Sequence, residues 1–166
     1  MLPIEGLPAG LWFGGQTLFV WWGQDADGND CVAADGARVL TFASENDCWT
    51  TADASGWRAA FDRTEVDEPA AIAALDPALD WLKGKRIALD PVSALDLWNW
   101  AADLAFSTGQ SWHDRSPQLD RCYEKLVAAN VPWLFDQTAY RPRWTPTQIR
   151  SMRGVLGRAV HVLRAL

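Results

Sequence analysis

The sequence predicts an α+β fold: an N-terminal antiparallel β-meander of about four to five strands packed against a C-terminal helical layer. Three observations carry this. The first sixty residues hold β-branched and aromatic runs broken by glycine turns. The rest holds four helix starts of one form, a capping residue followed by proline. One of these starts opens Asp90 to Phe106, DPVSALDLWNWAADLAF, a helix apolar on all but one side. At 100° per residue, Ser93, Asp96, Asn99, Asp103 and Ser107 share an arc of about 120°. A helix this apolar must be packed on several sides, which makes it the central, buried helix, over 91–108. Strands first and helices second place the helices on one face of an antiparallel sheet.

The elements follow in order. Leu11 to Phe13 reads as a strand ended by the turn pair Gly14-Gly15. Thr17 to Trp22, TLFVWW, has strand composition. After the turn DADGND come Cys31 to Ala34, the hairpin pair Asp35-Gly36, and Arg38 to Phe42. Ser44 and Asp47 fit a helix start, giving a helix from about Glu45 to Ala54. Trp57 to Phe61 returns as an edge strand, and Glu68-Pro69 opens a short helix over 69–75. Asp76-Pro77, Asp90-Pro91, Ser116-Pro117 and Thr145-Pro146 then open helices over 77–83, 91–108, 117–129 and 146–165. Residues 131–144 form an aromatic loop. No repeat or internal boundary divides residues 1–166, so the chain reads as one domain.

Charge is divided unevenly. Residues 1–110 carry 17 acids against 6 bases, net −11, whereas residues 111–166 carry 4 against 9, net +5. The first expectation is that the basic final helix docks on the acidic body. The overall acidity, with no aromatic-and-basic reader motif, argues against a nucleic-acid partner. It suits a basic protein partner instead. No leader pattern opens the chain and no apolar run approaches the roughly 20 residues of a membrane span. Cys31, Cys48 and Cys122 lack metal or redox spacing. These features predict a cytoplasmic protein with reduced thiols and no membrane partner. The 11 tryptophans read first as core filling, with an exposed binding surface as the sharper alternative.

No constellation specifies a reaction: no catalytic residue, metal ligand or cofactor is assigned. Asp25-Ala26-Asp27-Gly28-Asn29-Asp30 starts like a calcium loop, but Asp30 stands where glycine is needed and Gly36 where a bidentate glutamate is needed. His113 beside Asp114, and His161 alone, make neither a triad nor a metal set. Gly154-x-x-Gly157 reads as an aid to close helix packing. Asp96, Asn99 and Asp103 are the strongest polar group. They read first as a structural stripe paired by arginines of the final helix, and alternatively as the floor of a ligand pocket.

Three segments, ALDLWNWAADLA (94–105), DRCYEKLVAANVPWLF (120–135) and RPRWTPTQIRSMRGVL (141–156), together resemble small bacterial immunity proteins of polymorphic or contact-dependent toxin systems. The chain departs from that pattern at Ala129-Asn130-Val131-Pro132, where the family has a longer glycine- and asparagine-rich turn. The resemblance implies a non-enzymatic cytosolic protein, a monomer or weak dimer, that binds and neutralises one toxin. Candidate contacts on its acidic half are Asp25, Asp27 and Asp30 at the hairpin tip, and Glu65, Asp67 and Glu68 before the helices. The alternative is a small-molecule-binding domain or weak enzyme with its pocket at Asp96, Asn99 and Asp103.

Overall fold

The structure, a computed structural model, describes residues 1–61, 69–112, 116–135, 139–164 and 166. Its elements are β1 (Glu5–Phe13), β2 (Gln16–Gln24), β3 (Asp30–Val32), β4 (Ala34–Asp35), β5 (Arg38–Val39), β6 (Thr41–Phe42), α1 (Glu45–Ser55), β7 (Ile72–Ala74), α2 (Asp76–Leu82), α3 (Pro91–Thr108), α4 (Pro117–Asn130), a 3-10 turn (Pro132–Phe135) and α5 (Pro146–Leu163). The α+β class holds. Glu65, Asp67, Glu68 and His113 to Arg115 lie outside the described residues.

The main sheet runs β3-β2-β1-β7, with β6 also on β2, and β4-β5 forms a small ribbon. The sheet is mixed rather than an antiparallel meander. β1 and β2 form a long antiparallel hairpin, from Glu5 opposite Gln24 to Phe13 opposite Gln16. Its turn, Gly14-Gly15, has φ of 63° and 79°, the left-handed pair that matches strand twist. β7 joins β1 in parallel, Gly10 opposite Ile72. The alanine-rich segment 69–75 had pointed to a helix, but pairing with β1 overrides that local preference. Gly10 permits the approach, since a Cβ there would stand 2.8 Å from Ile72 Cγ1. Trp57 to Phe61 contributes a single parallel bridge, Ala59 to Gly6, in place of an edge strand.

Strand alternation sends Trp21 and Trp22 to opposite faces. On Trp21's face, α1 brings Cys48, Trp49 and Ala52 into a small core with Ala33. Trp21 packs edge-on to Trp49 at 5.3 Å and tilted to Trp57 at 5.7 Å. On the other face, Leu11, Val20 and Val32 meet α2 to α5 in the main core. Helices therefore cover both faces, where one had been expected. The four tryptophans Trp21, Trp49, Trp81 and Trp98 are buried, and Trp133 is 67% exposed.

Three of the four proline-headed starts work as expected. Asp90, Ser116 and Thr145 accept hydrogen bonds from the backbone N–H of Ser93, Leu119 and Gln148. Asp76 does not. The cap position falls on Leu75, and the two Asp76 carboxylate oxygens accept from the N–H groups of Gly14 and Gly15 at 2.6 and 2.9 Å. That carboxylate fastens the β1–β2 turn to α2.

The final helix docks through Met152, Val155, Leu156, Ala159 and Val160, all buried. Gly154 and Gly157 face open space, so they do not bring helices together. Gly154→Ala and Gly157→Ala should each stabilise the fold by about 0.5–1 kcal/mol in urea melts, because alanine costs less backbone entropy in an exposed helix. A loss of stability would show that either glycine has a packing role. Among the described residues, no helix is long and apolar enough to cross a membrane.

Candidate binding cleft

The polar stripe of α3 is held in place rung by rung. At its end, Ser107 Oγ accepts from the buried Val32 N–H at 2.8 Å and donates to the Asp103 carbonyl at 2.6 Å, tying the helix to β3. One turn earlier, Asp103 Oδ2 accepts from Trp22 Nε1 of β2 at 3.0 Å. One turn further, Asn99 Oδ1 accepts from the Tyr123 hydroxyl of α4 at 3.0 Å. Asp96, the next polar residue toward the helix start, has no hydrogen bond or ion pair among the described residues.

The expected pairing with arginines of α5 is absent. The ion pairs among the described residues are Arg58 with Glu5 and Lys85 with Asp80. Helix geometry explains the difference. α5 packs on the apolar side of α3 and sends its arginines to solvent or, for Arg153, onto α2, so the stripe on the other side stays out of their reach.

The stripe instead forms one wall of an open cleft of about 720 Å³. Asp96, Asn99, Trp100 and Asp103 come from α3, and Tyr123 from α4. The opposite wall is Leu7 to Gly10 of β1 with Ala71 to Ala73, and Trp22 and Asp30 complete it. Apolar walls with a few converging polar groups are the usual form of a ligand site. Three carboxylates and three aromatic rings line it, and no lysine, arginine or histidine does among the described residues.

Electrostatics follow from this one-sided charge. Burial pushes the Asp103 carboxyl from its ordinary 3.8 up to about 6; Asp30 adds to the rise and the Trp22 hydrogen bond opposes it. Burial also raises Asp96, with Asp90 adding. Because the folded value is raised, the unfolded chain gives up its Asp103 proton first. Stability from this group therefore falls as pH climbs from 3.8 toward 6, and a bound cation would restore it.

The hairpin-tip acids divide. The Asp25 carboxylate turns inward to the N–H groups of Asp27 and Asn29, both at 2.9 Å, which lowers its pKa. Asp27 stands exposed. Asp30 accepts from Gln24 Nε2 at 3.1 Å and lines the cleft, so the tip and the stripe, predicted as separate candidates, meet there. Trp22 and Tyr123 were missed as site residues. Alternation within TLFVWW was the available signal for Trp22, since Val20 and Trp22 share a face.

The thiols are held in the protonated form. All three are free and buried, and burial pushes Cys31 up to about 11 and Cys48 up to about 12.

No family model matches this chain. None of the curated proteins matches it either. Among solved structures it is similar to the SatS C-terminal domain in complex with bromine, with 15% identity and a TM-score of 0.46 over 97% of this chain and 90% of that one.

Proposed function

We propose that this chain is a non-enzymatic, cytoplasmic immunity protein that neutralises a basic bacterial toxin by taking one of its cationic side chains into the acidic cleft. The observation that carries the reading is the cleft's charge: Asp30, Asp96 and Asp103 face one recess with no cation in its described lining. Ionising a half-buried carboxylate is costly when nothing balances it. An incoming guanidinium supplies the balance, and Trp22, Trp100 and Tyr123 offer ring faces on which it can stack. The acidic half also speeds the approach of a basic partner. The resemblance over residues 94–156 supports the same class.

The test pairs this chain with the product of a neighbouring gene that halts growth when expressed alone. Co-expression should rescue growth, and the purified pair should bind. Asp96→Asn with Asp103→Asn should weaken binding about 30-fold, the order expected when buried charge pairs are lost. Affinity should rise as pH goes from 5 to 7, because Asp103 must lose its proton near pH 6 to meet a cation. Failure to rescue growth, or an unchanged affinity in the double variant, overturns the reading.

The size of the cleft favours a second reading, a site for a small amine. Thermal stabilisation by a free alkylammonium, without any protein partner, would select it.

A further inference from the structure

A second surface carries the opposite charge. α2, the segment after it with the start of α3, residues 140–144 and the start of α5 enclose a groove of about 490 Å³, with an apolar lining that includes Trp81, Trp144 and Met152. Ile87, Val92 and Ile149 stand on it with their side chains in solvent: Ile87 fully exposed, Val92 54% and Ile149 36%. Three large aliphatic side chains around one groove are more than scattered surface exposure.

Cations border the same groove. Arg141 is part of the wall. Arg153, one turn after Ile149, lies 4.6 Å from the centre of the Trp81 ring and donates one N–H to the Leu82 carbonyl. Its remaining donors have no partner among the described residues and can meet a carboxylate. Lys125 stands 5.5 Å from the centre of the Trp144 ring, but its ammonium is already held by the Arg143 carbonyl and Gln148 Oε1, so Arg141 and Arg153 carry the available charge. No acid lines the groove among the described residues. The basic helix had been expected to use its arginines on the acidic body, but none of them pairs with an acid among the described residues.

We propose that this groove docks an acidic amphipathic helix of a partner protein, at a site separate from the acidic cleft. Charge complementarity selects that occupant. The cations come from separate elements, so negative charge is wanted at more than one place beside an apolar stripe. A helix with glutamates flanking its leucines supplies both, as helix-in-groove recognition requires. A fatty acid has a single carboxylate and leaves the second cation unmatched.

The probe is a fluorescein-labelled helical peptide of about a dozen residues, with leucines three and four apart and glutamates elsewhere. Fluorescence anisotropy should show it binding at least 10-fold tighter than a scrambled peptide or one with lysines for glutamates. Arg141→Glu and Ile149→Ser should each weaken it at least 10-fold. Arg158→Glu makes the same charge change half a helical turn around α5 from Ile149, and should leave binding within about 2-fold. Equal binding of the control peptides, or equal damage from Arg158→Glu, overturns the proposal. So does saturable binding of laurate with none of the acidic peptide. Melting curves of each variant separate lost binding from lost folding. The acidic-cleft reading stands or falls independently, because its double variant leaves this groove unaltered.

Discussion

Gly23→Ala should destabilise the fold by about 3 kcal/mol, more than any other glycine substitution on the sheet, and lower the melting temperature by roughly 6–12 °C. Gly23 faces Gly6 across the β1–β2 ladder. A Cβ there would overlap the Glu5 carbonyl oxygen and stand 2.8 Å from the Gly6 Cα. Both obstacles are backbone atoms, which no rotamer change can move. The two strands would have to separate where Trp21 and Trp22 leave for their different cores. Gly28→Ala is the control. Its φ of 80° makes a side chain strained, but nothing lies within 4 Å, so its cost is about 1 kcal/mol. Urea denaturation of both variants checks the ranking; equal effects would show that the two strands relieve the crowding at Gly23 with a small shift.

Leu97→Ala should cost about 3–4 kcal/mol, within the range for emptying a fully buried leucine site. Leu97 has no exposed surface and lies in the main core. Its helical neighbours on that side, Ala94 and Ala101, are small and completely buried. Leu97 is thus the bulky group between two close approaches, and the alanines leave little that could relax into the vacated space. Leu97→Met, which keeps the volume, should cost under about 1.5 kcal/mol. The melting temperature of the alanine variant should fall by roughly 6–16 °C. A loss below 1 kcal/mol would show that α3 is not the element on which the other helices depend. Because Asp96 adjoins Leu97, the same variant should also blunt ligand binding in the cleft.

The helical half was largely readable from the chain. Asp90-Pro91, Ser116-Pro117 and Thr145-Pro146 mark starts by local chemistry, and Gly109 stops α3 in the left-handed conformation. What local chemistry could not show is where a competing partner lies far off in sequence. Asp76 looks like its three counterparts, yet its carboxylate goes to a turn more than sixty residues earlier. Ala70 to Ala74 has helical composition, but β1 offers it an open edge. The cleft was half legible: periodicity put Asp96, Asn99 and Asp103 on one line of α3, whereas the opposing wall depends on β1 and β7 coming together. The error over the arginines had the same origin. Opposite net charges in two halves predict attraction, but not which helix face each charge occupies.

The fastening of Gly14 and Gly15 by Asp76 has a consequence for the order in which the molecule assembles. A two-residue hairpin closes in microseconds and needs nothing beyond its own strands. Here its two turn amides find their acceptor only after β7 and α2 have arrived, at separations of 62 and 61 residues. The hairpin can close before its latch exists, and the latch cannot form until Asp76 is brought in. Protection of those two amide protons from exchange should therefore follow the docking of the helical half rather than the strands in which they sit.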